Sequence, residues 1–318
     1  MLRYGRSKIF QQFRIGVLGA PFNQGQTKLG VKDGPQTIRN TGFIKKLEEL
    51  GHDVVDAGDV QPDDGVDGET GPSGEKNHRR VLTYNQKLSE AVRKIREDHR
   101  MCITLGGDHS IAIGSVSGHC IGTPHKQLIV LWVDAHADIN TGRTSPTGNM
   151  HGMPISFLVQ ELKHKINRLP GSEWPQPSFE VKHLAYIGLR DVDTLEQKYL
   201  DDMGILHFGM RDLDKIGLSE AVARCLDHLQ PTESRSLHVS FDIDVLDPFE
   251  APSTGTPVRG GLSLREGLSI VEEARNTGRL RGFDLVEVNP TLGTVKDAAL
   301  TAEAAKAIIL SATAGVRG

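Results

Sequence analysis

The chain has 318 residues, of which 37% are hydrophobic and only 5% aromatic, so its core is built mainly from aliphatic side chains. The 37 Lys and Arg against 41 Asp and Glu give a net charge of −4 without long blocks of one sign, which argues against nucleic-acid or membrane-surface partners. No apolar run approaches the ~20 residues of a membrane helix. Three cysteines without metal-ligand spacing (Cys102, Cys120, Cys225) indicate reduced thiols in an intracellular protein.

A basic segment opens the chain. Residues 1–13 carry Arg3, Arg6 and Lys8 and contain no acidic residue. We interpret this leader either as disordered chain or as a mitochondrial targeting segment, so both the cytoplasm and the mitochondrial matrix are open as compartments. Residues 14–318 are assigned to one folded domain.

Strand and helix patterns alternate from residue 14 onwards. Short apolar runs predict strands at residues 14–19, 53–57, 101–105, 128–138, 183–189, 204–207, 236–242 and 281–288. Apolar residues at helical spacing predict helices at residues 35–50, 81–97, 154–164, 212–229, 262–277 and 298–312, and another that begins near residue 194. Residues 61–76, which are dense in Gly, Asp and Pro, predict a surface loop.

This alternation predicts an α/β fold, a single domain with a parallel eight-stranded sheet and helices on both faces. A closed eight-stranded barrel would fit the same number of strands. The short second strand and the uneven spacing of the elements favour an open sheet.

The run at residues 128–138 carries the first chemical signal. It begins as unbroken aliphatic sequence, typical of a strand buried on both faces, and closes with Asp134, His136 and Asp138. In extended backbone these alternating positions point to one side, so the three side chains would converge. The carboxyl ends of parallel strands hold the ligand sites of α/β folds. A metal site is predicted there, against the alternative of a solvated strand end.

Two other predicted strands also end in strong ligands, giving the set His109, Asp134, His136, Asp138, Asp242 and Asp244. Four clustered carboxylates would repel one another and take up protons unless cations separate them. Two divalent ions about 3.5–4 Å apart would remove that penalty and lower the pKa of a trapped water, giving hydroxide near neutral pH. Ligands without thiolate suit manganese or magnesium better than structural zinc.

Three motifs carry a resemblance to a known superfamily. Gly-Gly-Asp-His-Ser at 106–110, Asp-Ala-His-Ala-Asp at 134–138 and Ser-Phe-Asp-Ile-Asp at 240–244 resemble the signatures of the ureohydrolases. Within that superfamily the chain is most similar to the arginase family, from about Arg14 to the last helix. The resemblance implies an open parallel eight-stranded sheet and hydrolysis of L-arginine to L-ornithine and urea. It also implies two Mn²⁺ per subunit with a bridging hydroxide, and makes residues 14–318 the catalytic domain.

The same resemblance implies how the ligands divide. One manganese ion would be held by His109, Asp134, Asp138 and Asp242. The other would be held by His136, Asp134, Asp242 and Asp244, so that Asp134 and Asp242 bridge the two.

The loop after the metal strand implies the substrate. Four neutral donors, Asn140, Ser145, Thr147 and Asn149, match the positions that receive the α-carboxylate in arginases, and Asp193 matches the acceptor of the α-ammonium. As isolated residues the four loop positions would be ordinary turn formers. The Gly142-Arg143 pair departs from the usual loop sequence.

Catalytic roles also follow from the resemblance. His151 matches the proton shuttle, and an imidazole suits transfer in both directions near neutral pH. Glu287 matches the guanidinium anchor, where a carboxylate can accept two hydrogen bonds. Asp138 is included as a catalytic residue as well as a ligand. Arg265 and Glu266 lie in a stretch that holds arginase trimers together through ion pairs, so a homotrimer is expected.

Three alternatives stay open at this level. Agmatinase or another ureohydrolase predicts no carboxylate-binding loop, and residues 140–149 argue against it. A zinc amide hydrolase of the deacetylase type shares the fold but uses one metal, which six ligands disfavour. A catalytically silent, metal-dependent arginine sensor would be expected to lack a ligand or the shuttle, and neither is missing.

Overall fold

A computed structural model describes residues 12–124, 127–229 and 235–315. Within these ranges the strands are β1 (Arg14–Ala20), β2 (Asp53–Asp59), β3 (Met101–Gly106), β4 (Leu128–Val133), β5 (Leu184–Leu189), β6 (Leu206–Gly209), β7 (Ser236–Asp242) and β8 (Leu280–Val286). The helices are α1 (Gly34–Asn40), α2 (Phe43–Glu49), α3 (His78–Glu97), α4 (Ala112–Ile121), α5 (Pro154–Leu158), α6 (Thr194–Asp202), α7 (Met210–Ile216), α8 (Leu218–Leu229), α9 (Leu264–Asn276) and α10 (Val295–Ala314). Residues 1–11 of the predicted leader lie outside the described ranges.

All eight strands pair in parallel in one open sheet, in the order β2-β1-β3-β8-β7-β4-β5-β6. The predicted open α/β sheet is confirmed, and the barrel alternative is excluded. The edge strand β2 is largely exposed and acidic, and Arg39 forms ion pairs with its Asp56 and Asp59. Such charges protect an edge from pairing with another chain.

The central strands are buried on both faces because helices cover both. Every residue of β3, β4, β5 and β7 is buried. Helices α1, α2 and α7–α10 pack on one face, and α3–α6 pack on the other. This double coverage explains why these strands read as continuous aliphatic runs and not as alternating patterns. No helix in the described parts of the chain has the length and apolar character to cross a bilayer.

The helices differ from the predictions in two ways: some predicted helices are interrupted or shorter, and one observed helix was not predicted. Gly42 (φ 74°) separates α1 from α2, and Gly217 (φ 82°) separates α7 from α8, where single helices were expected at residues 35–50 and 212–229. The α-helix predicted at 154–164 ends at Leu158. No pattern predicts α4, because nine of its ten residues are buried and it has no polar face to produce a helical period.

The most important correction concerns the strand expected at residues 128–138. Strand β4 ends at Val133, and the residues from Asp134 to Asp138 follow it in a bend. Asp138 has a φ of 51°, in the left-handed region. The three ligands therefore converge because the chain turns beyond the strand, and not because alternate residues of extended backbone share a side.

Candidate metal centre and substrate cavity

The carboxyl ends of β3, β4 and β7 bring all six predicted ligands to one place. Strand β8 lies between β3 and β7, and β7 pairs with β4, so the three strand ends are close neighbours. Five of the six ligands are buried, and only His136 is partly exposed. In the sheet order, β8 and β7 separate β3 from β4, the next strand along the chain. In open α/β sheets, ligands bind in the crevice at the carboxyl ends of the strands where the strand order changes direction.

One group of ligands surrounds the imidazole of His109. Its Nδ1 lies 3.0 Å from Asp134 Oδ2, 3.1 Å from Asp138 Oδ2 and 3.1 Å from Asp242 Oδ2. His109, Asp134 and Asp242 form a set that could hold a metal ion, with all three ligand atoms within 4.8 Å of one another.

A second group shares Asp134 with the first. His136 Nδ1 lies 3.2 Å from Asp244 Oδ2 and 3.4 Å from Asp134 Oδ1, and these three residues also could hold an ion. The geometry thus places Asp134 between two adjacent candidate sites. Asp138 belongs to neither set and Asp242 only to the first, so their further ligand roles stay predictions.

The donor set fits a cation by a direct structural criterion. His109 Nδ1 makes no hydrogen bond, although three carboxylate oxygens surround it. The other ring nitrogen, Nε2, lies 2.9 Å from Ser240 Oγ. With the ring proton on Nε2, the lone pair of Nδ1 faces the carboxylates, and that arrangement is repulsive until a cation lies between them.

The electrostatics of the metal-free cluster agree with this conclusion. Burial, together with the charge of Asp134, raises the pKa of Asp138 to about 6. Burial and the charges of Asp244 and Asp134 raise the pKa of Asp242 well above its usual value. Carboxylates that resist ionisation when no cation is bound are those that a cation would stabilise.

A cavity of about 230 Å³ opens from this cluster towards solvent. Its wall contains all five predicted substrate-loop and ammonium-binding residues, four of the six ligands, and His151. The lining residues are His109, His136, Asp138, Asn140, Ser145, Pro146, Thr147, Asn149, His151, Gly152, Asp191, Asp193, Glu196, Asp242 and Thr256. Glu287 is buried and does not line the cavity.

The loop hydroxyls are oriented by the backbone. Ser145 Oγ accepts a hydrogen bond from Gly148 N–H at 2.9 Å, and Thr147 Oγ1 accepts one from Asn149 N–H at 3.1 Å. The two hydroxyl oxygens also lie 3.5 Å apart, so one hydroxyl can donate to the other and the remaining proton is available to another acceptor. The Lys76 ammonium lies 3.5 Å from Asn149 Oδ1, which leaves the Asn149 NH₂ group as a further donor.

Asn140 lies beside Asp193. Its Nδ2 donates to Asp193 Oδ2 at 2.9 Å, while its buried Oδ1 has no hydrogen-bond partner. Behind them, the Glu196 carboxylate accepts hydrogen bonds from Ile139 N–H and Asp193 N–H. Burial and the charge of Asp138 raise the pKa of Glu196 to about 8.

His151 and Glu287 form a pair next to the first ligand group. His151 Nδ1 lies 3.1 Å from Glu287 Oε1, which also accepts the backbone N–H of His109 at 2.8 Å. Burial alone would lower the pKa of His151, but the hydrogen bond and charge of Glu287 raise it to about 8. Because Glu287 Oε1 already has two donors, only Oε2 is free to accept others.

Comparison with known proteins identifies the family. The Arginase family model matches residues 13–315. The chain belongs to the arginase family. Arginase-1 of Sus scrofa is 46% identical over 303 residues, which cover 95% of this chain and 93% of that protein. Arginase-2, mitochondrial, of Homo sapiens is 47% identical over 287 residues, covering 90% of this chain and 80% of that protein.

Solved structures of the arginase family share the fold. Arginase from Bacillus subtilis superposes with a TM-score of 0.83 at 35% identity, covering 95% of this chain and 98% of its own. Entamoeba histolytica arginase in complex with L-ornithine has a TM-score of 0.83 at 30% identity, covering 96% of this chain and 100% of its own. Formimidoylglutamase from Bacillus subtilis, at 23% identity and a TM-score of 0.73, shares the fold alone.

Among the cavity residues of this arginase-family chain that were not predicted as site residues, three have ionisable or hydroxyl side chains: Asp191, Glu196 and Thr256. Glu196 could have been found from the Asp193-x-x-Glu196 spacing, which matches a capping box at the start of α6. The Thr256 hydroxyl donates to Asp244 Oδ2 at 2.9 Å, a contact between distant loops that no local pattern reveals. Asp191, whose Oδ2 lies 3.7 Å from His136 Nε2, follows β5 and gives no local signal either.

Proposed function

We propose that this protein is an arginase, which hydrolyses L-arginine to L-ornithine and urea. The observation that carries the proposal is one cavity that joins a largely buried cluster of four carboxylates and two imidazoles to a loop of neutral donors with Asp193 beside it. The curated relatives that cover nearly the whole chain are arginases, and a solved family member was captured with L-ornithine.

We further propose that the centre binds two Mn²⁺ ions. His109, Asp134, Asp138 and Asp242 would hold one, and His136, Asp134, Asp242 and Asp244 the other. Oxygen-rich ligation with two imidazoles and no thiolate supports manganese over zinc. When bound, the pair of ions would supply a hydroxide near neutral pH for attack on the guanidinium carbon.

The residues around the cluster would handle protons and orientation. The Glu287 carboxylate can only accept, so His151 donates its Nδ1–H to it and keeps Nε2 for proton transfer. His151 lines the cavity and is therefore the group that would protonate the leaving amine. Glu287 would orient His151 and, through its free Oε2, accept from the guanidinium.

The cavity wall would recognise the amino-acid end of arginine. The neutral donors Ser145, Thr147 and Asn149 suit a carboxylate, because hydroxyl and amide groups donate hydrogen bonds at any pH and add no charge to the cavity. Asp193 suits the α-ammonium, and the unpaired Oδ1 of Asn140 beside it is a second acceptor for that group. Asn140 is thus better placed for the ammonium side than for the carboxylate side of the clamp.

The deciding experiment measures urea release from L-arginine and from agmatine, side by side, before and after chelation of the manganese-loaded protein. Agmatine lacks the α-carboxylate, so arginase activity predicts chelator-sensitive urea from arginine and little from agmatine. Preference for agmatine would keep the metal chemistry and reject the clamp. Manganese binding without urea from either substrate would favour the arginine sensor. Metal analysis of the active protein should give two manganese ions per chain.

We also propose that the chain forms a homotrimer. Arg265 at the start of α9 is largely exposed, and within the described ranges its guanidinium pairs with the neighbouring Glu266 alone, at 3.8 Å. An apolar groove of about 220 Å³ lies beside it, lined by Leu264, Leu300 and Leu310 among others. An exposed cation next to an apolar groove is a surface that a second copy of the chain could cover.

The protein is intracellular, and its compartment is a finer question. Arginase-2 of Homo sapiens and that of Rattus norvegicus are named mitochondrial, whereas Arginase-1 of Sus scrofa is not. The basic leader at residues 1–13 supports the mitochondrial matrix, and the cytoplasm is the alternative. The mass of the mature chain, with or without its leader, distinguishes the two.

A further inference from the structure

A buried network of polar side chains lies beneath the candidate metal centre, between the sheet and α4. It consists of Ser115, His119, Ser236, His238, Ser240 and Asp284, which we call the Asp284 network. All of its members are buried, and none lines the substrate cavity. It begins at His109, whose Nε2 lies 2.9 Å from Ser240 Oγ, and ends at Ser236, the first residue of β7.

Asp284 collects the donors of this network on one oxygen. Its Oδ2 accepts from Ser115 Oγ at 2.5 Å, from His238 Nε2 at 2.9 Å and from Ser240 Oγ at 3.4 Å. Its Oδ1 is buried without a hydrogen-bond partner. No Lys or Arg in the described parts of the chain pairs with Asp284. Among the described residues, these three donors are the hydrogen-bond partners of the carboxylate.

The carboxylate fixes the direction of every hydrogen bond on one side of the network. Because Asp284 only accepts, His238 carries its proton on Nε2 and has a lone pair on Nδ1. His119 Nδ1, 2.9 Å from His238 Nδ1, must then be the donor. Its own Nε2 accepts from Ser236 Oγ at 2.8 Å. Burial and His238 lower the pKa of His119 well below its usual value, which agrees with a neutral ring.

The same argument fixes the bonds on the side of the metal centre. Ser240 gives its hydroxyl proton to Asp284, so its oxygen lone pairs face His109 Nε2. His109 must then carry its proton on Nε2. That tautomer leaves the lone pair of Nδ1 directed at Asp134, Asp138 and Asp242, which is the form required of a metal ligand.

We propose that Asp284 is a positioning residue for the metal centre, acting through Ser240 to hold His109 in its metal-binding tautomer. This inference rests on the metal centre of the proposed function, but not on its substrate. An amide at position 284 would present both a donor and an acceptor, so it would no longer dictate which way the Ser240 proton points. The expected effect is weaker metal binding in a folded protein.

The first test measures Mn²⁺ binding to the metal-free protein. The electron paramagnetic resonance signal of free Mn²⁺ reports the binding, so the measurement does not depend on turnover. Asp284→Asn should weaken binding by about 10- to 100-fold, the range seen when outer partners of ligating histidines are removed. Ser115→Ala is the matched control, because it removes a donor to the same oxygen that does not lead to His109. It should change binding less than about 3-fold. Equal loss in both variants would overturn the inference in favour of a general packing effect.

A double-mutant cycle tests the route through Ser240. If Asp284 acts only through that hydroxyl, Ser240→Ala should weaken Mn²⁺ binding, and adding Asp284→Asn should weaken it little further. Losses that multiply in the double variant would mean that Asp284 acts by another route, and would overturn the proposal. Circular dichroism of each metal-free variant shows whether the fold is kept.

A measurement on the unaltered protein covers the case in which the variants fail to fold. Nitrogen chemical shifts of ¹⁵N-labelled histidine should show His238 protonated on Nε2 alone and His119 on Nδ1 alone. Doubly protonated rings or the reverse tautomers would contradict the donor directions on which the proposal depends. A protein that binds Mn²⁺ in this Asp284-dependent way but releases no urea would refute the arginase proposal and leave this one intact.

Discussion

The pairing of His151 with Glu287 makes a quantitative prediction at the scale of single residues. In the metal-free protein burial opposes protonation of His151, but the hydrogen bond and charge of Glu287, together with the charges of Asp138 and Asp108, raise its pKa to about 8. Glu287→Gln removes the charge and keeps the shape, so the pKa of His151 should fall clearly below about 8, with only Asp138 and Asp108 left to oppose the effect of burial. Histidine NMR titration of the metal-free wild type and variant measures the difference. An unchanged pKa would show that Glu287 is not the cause.

The sign of the matching stability change follows from linkage. A folded-state pKa above the unfolded value means that protonated His151 stabilises the fold. This stabilisation is fully present below about pH 6.5 and is lost as the pH rises through about 8. Comparing the unfolding free energy of the metal-free wild type with that of His151→Asn across this window should show the wild type losing its advantage. In the same pH range, as the pH rises through about 8, His151 loses the proton that it would donate as an acid.

Asn149 tests the carboxylate side of the clamp. Asn149→Ala should raise KM for L-arginine about 10-fold, because a hydrogen bond to a charged group contributes about 1.5–3 kcal/mol. Agmatine has no α-carboxylate, so its KM should change less than about 2-fold. Asp193→Asn is the contrasting variant, since agmatine keeps an amine and both substrates should be affected. If Asn149→Ala raises KM equally for both substrates, the loop does not recognise the α-carboxylate.

At the scale of residues, the sequence predicted which side chains form the candidate site better than it predicted their contacts. All six ligands and the loop donors could be found because each follows a strand or lies in a short motif. The roles of Thr256 and Ser240 could not be predicted, although Ser240 lies in the 240–244 motif, since these roles come from hydrogen bonds to Asp244 and His109 across the fold. Asn140 was assigned to the carboxylate, and that assignment stays a prediction, because its NH₂ group has a second proton beside the one donated to Asp193. Only the folded structure shows which groups a side chain contacts.

A surface loop supports the substrate loop at the scale of elements. Residues 71–77, the outer loop, pack against residues 142–149: Lys76 N–H donates to Gly148 O at 2.8 Å. A Cβ at Gly142 would lie 2.5 Å from the Glu75 carboxyl, so this close approach requires glycine. Glu75 is itself buried and accepts from Asn167 Nδ2 at 2.7 Å. The unusual Gly142 of the substrate loop is thus explained by the Glu75 beneath it.

Lys76 should tune substrate affinity through this contact. Lys76→Met removes the donor to Asn149 Oδ1 and should raise KM for L-arginine roughly 2- to 5-fold, the effect of a weak exposed hydrogen bond, while kcat stays constant. Lys165→Met is the charge-matched control, because that ammonium contacts Tyr199 and not the substrate loop. Steady-state kinetics of both variants decide. The same KM in both would attribute the effect to net charge alone.

The boundaries of elements were the least predictable feature of the fold. The alternation of strands and helices identified the open parallel sheet, because burial on both faces leaves long aliphatic runs. It could not locate the breaks at Gly42 and Gly217, where the apolar spacing continues through the turn. It also extended β4 to Asp138, because polar residues that alternate after a strand look the same whether the backbone is extended or bent.

Metal removal acts on the whole molecule. Four buried carboxylates share the centre, and the chain supplies no Lys or Arg to them among the described residues. Free Mn²⁺ at 100 times Kd stabilises the fold by about 2.7 kcal/mol per site. Two sites should raise Tm by roughly 5–10 °C over the chelated protein. Scanning calorimetry with and without Mn²⁺ tests this. Asp134→Asn, which removes the shared ligand, should abolish most of the shift.

The proposed assembly into a trimer is the remaining feature of the whole molecule that can be tested by substitution. Glu266 uses Oε2 to accept from Ser263 at the start of α9, so its carboxylate is partly committed within the chain. Arg265 has no such commitment and is free to reach a partner's acid. Nearby, Phe249 is 86% exposed and Leu300 is 47% exposed, which is costly for apolar side chains unless another copy covers them.

Arg265→Ala should therefore weaken the trimer without unfolding the chain. Exposed ion pairs contribute about 0.2–1 kcal/mol each, and threefold symmetry repeats the contact, so the loss should be about 1–3 kcal/mol per trimer. Light scattering after size-exclusion chromatography should show the variant dissociating at protein concentrations where the wild type does not. High salt should weaken the wild type more than the variant, because only the wild type has the charge pair to screen.

Arg224→Ala is the matched control, since its guanidinium pairs with Glu220 on its own helix. It should leave the concentration dependence of the wild type unchanged. Leu300→Asp probes the apolar groove separately and should dissociate the trimer at any salt concentration, because it places a charge where the partner would bury a methyl group. A wild-type chain that is monomeric at micromolar concentration would refute the trimer. Identical behaviour of the Arg224 and Arg265 variants would place the interface elsewhere on the molecule.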